Sequence, residues 1–348
     1  MKTAGHGIEL ARSGRWATTI AAALMAAGCG GGSDDAPATT TAAAVSTEKP
    51  VEQPILTMPT STYTGMYAQA FQRINEARIA AGVSALKQSV ELDRAAQAHA
   101  EYLAYHNLTG HYQSSLDALF TGTNHVDRAL AQKYKNTVTV EVVSTAARDY
   151  SGANHVDLHL NSVYHLLGAL LPNANEIGIG VSWPSAIGQV SLSITTGTTD
   201  SRLMPVKYPI VWPADKAINT ARQFVPAIER PNPLPDIATN FSVTVGSPVM
   251  YCRRLDLKAP LTVTSAKLVD RLTQAPQPVY VLRHGTASVS GAIRADVLLD
   301  PNPADISKQC IFLIPKTPLD VRRTYDVTVT SIEQGVSSET TWAFVTGD

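Results

Sequence analysis

Three side chains far apart along the chain could do chemistry together: His111, Glu141 and His165. Two neutral imidazoles and a carboxylate are a ligand set for Zn2+ or a similar divalent cation, with water completing the shell. The same groups could instead lock a cleft wall as a buried hydrogen-bond network. A third use is hydrolysis, with an imidazole as general base or a metal-bound water as attacker. His111 follows Leu108-Thr-Gly, and Gly110 lets the chain turn sharply there. Glu141 lies in the alternating run Thr137–Val143, sharing one side with Thr139 and Val143. Helical spacing places His165 on a face with Leu158, Ser162 and Ala169.

The other histidines suggest less. His99 falls on the buried face of a helix and reads as a core histidine, whereas His106, His125, His155 and His159 read as surface or loop residues. His155 and His159 are four apart but lack the intervening glutamate of a metalloprotease helix. Ser162 stands three residues before His165, a spacing that seldom aims a serine–histidine pair at substrate. Gly-x-Ser-x-Gly, P-loop, Rossmann and Cys-x-x-Cys patterns are all missing, so no residue is assigned a catalytic role.

These residues must be positioned by the elements around them. Tyr67, Ala70, Phe71, Ile74, Ala77 and Ala81 recur at helical spacing, and Gly82 ends the run. Ser89 can cap a second helix that buries Leu92, Ala96, His99 and Leu103. Asn154 can cap a third, with Val156, Leu160, Val163, Leu167 and Leu170 as its stripe, stopped by Pro172. Residues 110–136 read as irregular. After the Thr137–Val143 strand come two more, Ile177–Trp183 and Gln189–Thr195, joined by the hairpin loop Pro184–Gly188. This α/β pattern predicts a three-layer α/β/α sandwich with a central antiparallel sheet over residues 61–203.

Several motifs carry a family resemblance: Asn75-Glu-Ala-Arg78, Gly82-Val-Ser-Ala-Leu86, Thr109-Gly-His111, Val140-Glu-Val142, Ser162-Val-Tyr-His165 and Asn175-Glu-Ile-Gly-Ile-Gly-Val181. In this order the chain resembles the CAP superfamily of cysteine-rich secretory, antigen-5 and pathogenesis-related proteins. The resemblance implies a cleft of two histidines and two acids, onto which His111, Glu141 and His165 carry over. The second acid has no match in its usual place; Asp149 and Asp157 lie near it. Val142 replaces the usual asparagine after the glutamate, and Leu158 replaces a usual tryptophan.

Residues 204–348 change character. Prolines 209, 213, 226, 231, 233 and 235 crowd the join. Short alternating runs follow at 241–245, 261–263, 278–282, 295–299, 310–314, 325–329 and 341–345. They predict an all-β sandwich whose last strands resemble bacterial immunoglobulin-like domains. Cys252 and Cys310 are expected to form a disulfide.

Residues 1–28 read as an export signal, with Lys2, Arg12 and Arg15 before the apolar run Trp16–Ala27. Ala26-Ala-Gly-Cys29 resembles a lipobox, so Cys29 is expected to carry the lipid that holds the protein on a membrane, with Gly30 favouring an outer membrane. An ordinary signal peptide, with secretion, is the alternative. Residues 29–60, rich in Ala, Thr, Ser, Pro and Gly, predict a disordered tether. A net charge of −1 with 16% charged residues shows no basic stripe, which argues against nucleic acid as a partner and leaves a lipid or protein ligand open. The functional expectation is an exported, non-catalytic binding module with a cation site in its cleft. The alternatives are an extracellular hydrolase or peptidase and a structural adhesion protein with a vestigial cleft.

Overall fold

The computed structural model describes residues 53–183, 189–199, 207–255, 257–302 and 307–348. Cys29, the export signal and the loop Pro184–Gly188 lie outside them. Residues from Lys49 onward form one compact unit. Ile55, assigned to the tether from sequence, takes part in backbone pairing: its N–H donates to Ser84 Oγ at 3.0 Å and its carbonyl accepts from Ala85 at 2.8 Å.

The first half runs α1 (Gly65–Ala80), β1 (Lys87–Gln88), α2 (Val90–His106), α3 (His125–Ala131), β2 (Thr137–Ala147), α4 (Gly152–Leu160), α5 (Tyr164–Ala169), β3 (Glu176–Ser182) and β4 (Gln189–Thr198). Its sheet has the order β1-β3-β4-β2, antiparallel apart from the short β1–β3 pair, so β2 is an edge strand. One face carries Ile177, Ile179, Val181, Val190, Leu192 and Ile194, which share a core with α1, α4 and α5. The other face is covered by α2. Gly178 and Gly180 make this possible, since a Cβ at either would lie 2.0–2.2 Å from the backbone of Leu92 or Ala96. The predicted three layers are present.

Arg78 fastens the α1 layer. Wholly buried, it donates to the carbonyls of Ser84, Ala169 and Ala174 at 2.7–3.0 Å, and burial pushes its pKa down to about 9.

The expected third helix is two helices. All five stripe residues are buried, but α4 ends at Leu160 and α5 begins at Tyr164. Ser151, not Asn154, is the N-cap of α4, and Asn154 completes a capping box with it. The break has a local cause. Ser162 Oγ donates to the His159 carbonyl at 2.7 Å, an acceptor that a continuous helix would give to Val163. The Val163, Tyr164 and His165 N–H groups donate instead to the Glu229 carboxylate at 2.7–3.0 Å. Val163 has no side chain able to cap α5, so a residue 66 positions downstream does it.

The second half is built of strands: β5 (Ile210–Trp212), β6 (Ala217–Thr220), β7 (Gln223–Phe224), β8 (Val245–Gly246), β9 (Val249–Cys252), β10 (Thr262–Asp270), β11 (Val279–Arg283), β12 (Ser288–Val289), β13 (Ala295–Leu299), β14 (Cys310–Pro315), β15 (Thr324–Glu333) and β16 (Val336–Thr346). A 3-10 turn, Pro226–Ile228, follows β7. Two five-stranded sheets, β12-β10-β15-β16-β6 and β13-β11-β14-β9-β5, share a core. Along β14, Ile311 and Leu313 enter that core, while Cys310, Phe312 and Ile314 enter the core that includes α1, α4 and α5. Val249 and Tyr251 against Met250 and Cys252 on β9 divide the same way. Cys252 and Cys310 are register partners on β9 and β14 and are disulfide-bonded, as expected.

Candidate functional site

Glu141 projects from β2 toward α2 and α3, where it is 5% exposed. Arg128 of α3 reaches both its oxygens from Nη2, at 2.7 and 2.8 Å. His111 Nδ1 lies 3.1 Å from Oε2, and His99 Nε2 stands 3.6 Å from the same oxygen. Burial alone would raise the pKa of Glu141. The His111 hydrogen bond, the positive charges of His99 and Arg128, and the Arg128 hydrogen bond outweigh it and bring it down to about 2. Burial also holds His99 near a pKa of about 4, so at neutral pH Arg128 supplies the balancing charge. His99 is a core histidine as expected: Nε2 meets the Gly110 carbonyl at 2.9 Å and Nδ1 meets Gln113 at 3.0 Å.

Arg128 is an addition to the residues that the sequence singles out. Its helix is seven residues long, inside the stretch that reads as irregular. The available signal is Asn124, whose Oδ1 accepts from Val126 and Asp127 in the manner of an N-cap.

His165 is the second residue of α5, and its Nδ1 lies 3.0 Å from Glu229 Oε1. Its carboxylate partner is therefore Glu229, not Glu141. Neither acid considered from sequence fills this place: Asp157 is bridged to Arg73 at 2.6 Å, and Asp149 is exposed. Nor does His165 share a helix face with Leu158 and Ser162, which precede the break. Gly168 packs α5 against Val140 and Val142, the face of β2 opposite Glu141. The two carboxylate–imidazole pairs are thus built on opposite faces of the sheet and meet around its edge strand. There the His111 and His165 rings have centroids 6.2 Å apart.

His155 and His159 are not at the surface. Both are buried, and His155 Nδ1 bonds Ser144 Oγ at 2.8 Å. The His159 ring lies 5.2 Å from that of His165. Burial takes His155 down to about 4, and burial followed by the charges of His165, His155 and His111 takes His159 well below the ordinary range. α4 is clamped between α1 and β2, which the alternation of its sequence does not disclose.

In each pair Nδ1 faces a carboxylate and so carries the N–H of the neutral ring, which leaves Nε2 as the lone-pair nitrogen. The His111 and His165 side chains are 32% and 18% exposed, against 1% for each glutamate. Among the described residues no group of three or more His, Cys, Asp or Glu is arranged to hold a metal ion. What the geometry offers a cation is two imidazole nitrogens, with the carboxylates behind them. Ser162 is no nucleophile for His165, since its hydroxyl is bonded to the His159 carbonyl.

Residues 71–186 match the family model described as CAP, the cysteine-rich secretory protein family. This segment is a CAP domain. It covers about a third of the chain and ends before Glu229, so half of the second carboxylate–imidazole pair lies outside it. No curated protein matches the chain. Among solved structures, the chain is similar to an outer surface protein from Borrelia burgdorferi, with 17% identity and a TM-score of 0.32 over 39% of this chain and 93% of that one. It is also similar to an extracellular protein containing a SCP domain from Bacillus anthracis str. Ames, with 18% identity and a TM-score of 0.31 over 38% of this chain and 40% of that one. No helix among the described residues is long and apolar enough to cross a membrane.

Proposed function

We propose that the CAP domain is a non-catalytic binding module that takes a divalent cation such as Zn2+ on the His111–His165 pair. The observation that carries this reading is the matched second shell: each imidazole has Nδ1 on a buried carboxylate, which leaves Nε2 as its lone-pair nitrogen, and the two rings stand with centroids 6.2 Å apart. Two protein ligands leave most of the coordination sphere to water or to a group from a partner, which makes the site weak and open. Glu141 serves by orienting His111, because Arg128 already occupies both its oxygens. The immunoglobulin-like reading of residues 204–348 assigns them the support of this site through Glu229. Export, with lipid on Cys29 holding the protein in the cell envelope, completes the proposal; it rests on the sequence around Cys29.

Calorimetric titration of the purified protein with Zn2+ tests it. One ion should bind, and His111→Ala and His165→Ala should each abolish the heat while circular dichroism stays unchanged. No heat in the wild type refutes the cation site. Among the described residues no side-chain nucleophile is hydrogen-bonded to either imidazole, which bears against the serine–histidine form of a hydrolase alone.

A further inference from the structure

A cavity of about 420 Å3 opens between α1, α4 and the chain from Trp212 to Ala221. No residue of the two carboxylate–imidazole pairs lines it. Its polar side chains come from both halves of the molecule: Arg73 and Glu76 on α1, Asp157 on α4, and Asn219 on β6. The first three lie within the CAP domain, whereas Asn219 and Trp212 lie beyond it. Neither part of the chain forms this cavity alone.

Arg73 and Asp157 engage each other through one atom apiece, Nε to Oδ1 at 2.6 Å. Among the described residues, both Nη groups of Arg73 and Oδ2 of Asp157 are left without a hydrogen-bond partner. With side chains 30% and 48% exposed, the pair offers solvent free N–H donors beside a free carboxylate oxygen. Glu76 spends one oxygen on Gln72, at 2.7 Å, and keeps the other. Asn219 is exposed and stands in the left-handed region at φ 55°, with Lys216 at φ 64° in the same turn. Backbone held in that region marks a turn whose shape the surrounding fold enforces. Trp212, half-buried on β5, adds an aromatic side chain to the wall.

We infer that this cavity binds an uncharged mono- or disaccharide, a C–H face of the sugar against Trp212 and its hydroxyl groups on Arg73, Asp157, Glu76 and Asn219. A volume near 420 Å3 falls within the range of small-ligand sites. Each sugar hydroxyl both donates and accepts, so neighbouring hydroxyls match a guanidinium standing beside a carboxylate. An indole meets the apolar face of a pyranose with its own broad apolar face. Charge opposes the other classes of ligand. Two carboxylates against one guanidinium repel an anion, and the free Nη groups of Arg73 repel a cation. A wholly apolar ligand would strip water from three charges and return no hydrogen bond. No residue of the proposed cation site takes part, so this inference stands apart from that reading.

The test is saturation-transfer NMR of the full chain with maltose, cellobiose and N,N′-diacetylchitobiose, all neutral. At least one should receive saturation, strongest on the ring protons of one face, with a Kd read by titration. Asp157→Ala and Arg73→Ala should each raise that Kd about tenfold by removing a charge-assisted hydrogen bond. The pair is exposed enough that the fold survives its loss. Trp212→Leu should raise the Kd about fivefold. Zn2+ should leave the transfer unchanged. Chitobiose, whose free amines are charged, should bind more weakly than its acetylated form. No saturation of any of the three neutral sugars overturns the inference, as does equal or tighter binding of chitobiose. So does an affinity that none of Asp157→Ala, Arg73→Ala and Trp212→Leu alters.

Discussion

Both walls of the cleft set a buried carboxylate against an imidazole, and they hold it there by different means. On the α2–α3 side, Glu141 is neutralised by Arg128 within the CAP domain, and His99, Ser193 and Thr195 crowd the same carboxylate. On the α5 side, Glu229 arrives from beyond the domain and accepts from three backbone N–H groups at a helix start, with no arginine among the described residues bonded to it. The first wall is an ion pair whose parts fold together. The second exists only when the downstream region has docked. A cleft can thus be split between an intrinsic half and a borrowed half, and the two should fail differently.

The largest effect is expected on the intrinsic side. Arg128→Ala leaves Glu141 buried without its counter-charge and should cost about 3–5 kcal/mol in urea unfolding. Glu229→Ala removes a helix cap and the His165 contact, and should cost about 2 kcal/mol. If the two losses come out equal, the distinction between the walls collapses.

Acid should act on both walls. The folded-state pKa values of His99 and His155 are lowered to about 4 and that of His159 further, against about 6.5 when unfolded. The unfolded chain therefore binds more protons. This contribution to stability is fully present above about pH 6.5 and is lost as pH falls toward 4, by up to about 1.4 kcal/mol per pH unit per histidine. Glu141, lowered to about 2, adds its own loss only below its unfolded value near 4.5. His99→Gln should flatten the slope of stability against pH between 6.5 and 4 by one proton on the first wall, and His159→Phe by one on the second. A slope that neither variant changes would show that these rings are not held neutral.

The smallest effect sharpens the comparison at the proposed cation site. Glu229→Gln keeps an acceptor near His165 but lowers its basicity, and should weaken Zn2+ binding about tenfold in calorimetry. Glu141→Gln disturbs Arg128 as well, so it should lower stability before it alters affinity.

Much of the intrinsic wall is legible in the sequence because its signals are local. Ser89 caps α2 and His99 is buried, as their spacing predicts, and the alternation from Val140 to Val143 sets the direction of Glu141, although a bulge at Thr139 breaks it upstream and turns Val138 to the same side. Arg128 is hidden because a helix of seven residues makes too little periodicity to stand out. The split at Asn161 is hidden for another reason. Val156 to Leu170 keep one helical stripe through the break, and the acceptor that interrupts them is Glu229, in a proline-rich segment that carries no pattern of its own. No spacing rule could connect residues 165 and 229. In the second half, the longer strands show in the sequence through their alternation. β5, β6, β7, β9 and β12 do not, because each is only two to four residues long and lacks room for it, and of the run 241–245 only Val245 is in a strand, the two-residue β8.

The sheet β13-β11-β14-β9-β5 is apolar on both of its surfaces, one turned to its partner sheet and the other to the helices of the first half. Among the described residues, separating the halves would therefore expose a second face of that sheet to water as well as the helices packed on it, so the helical layer and the strands should unfold in one cooperative step.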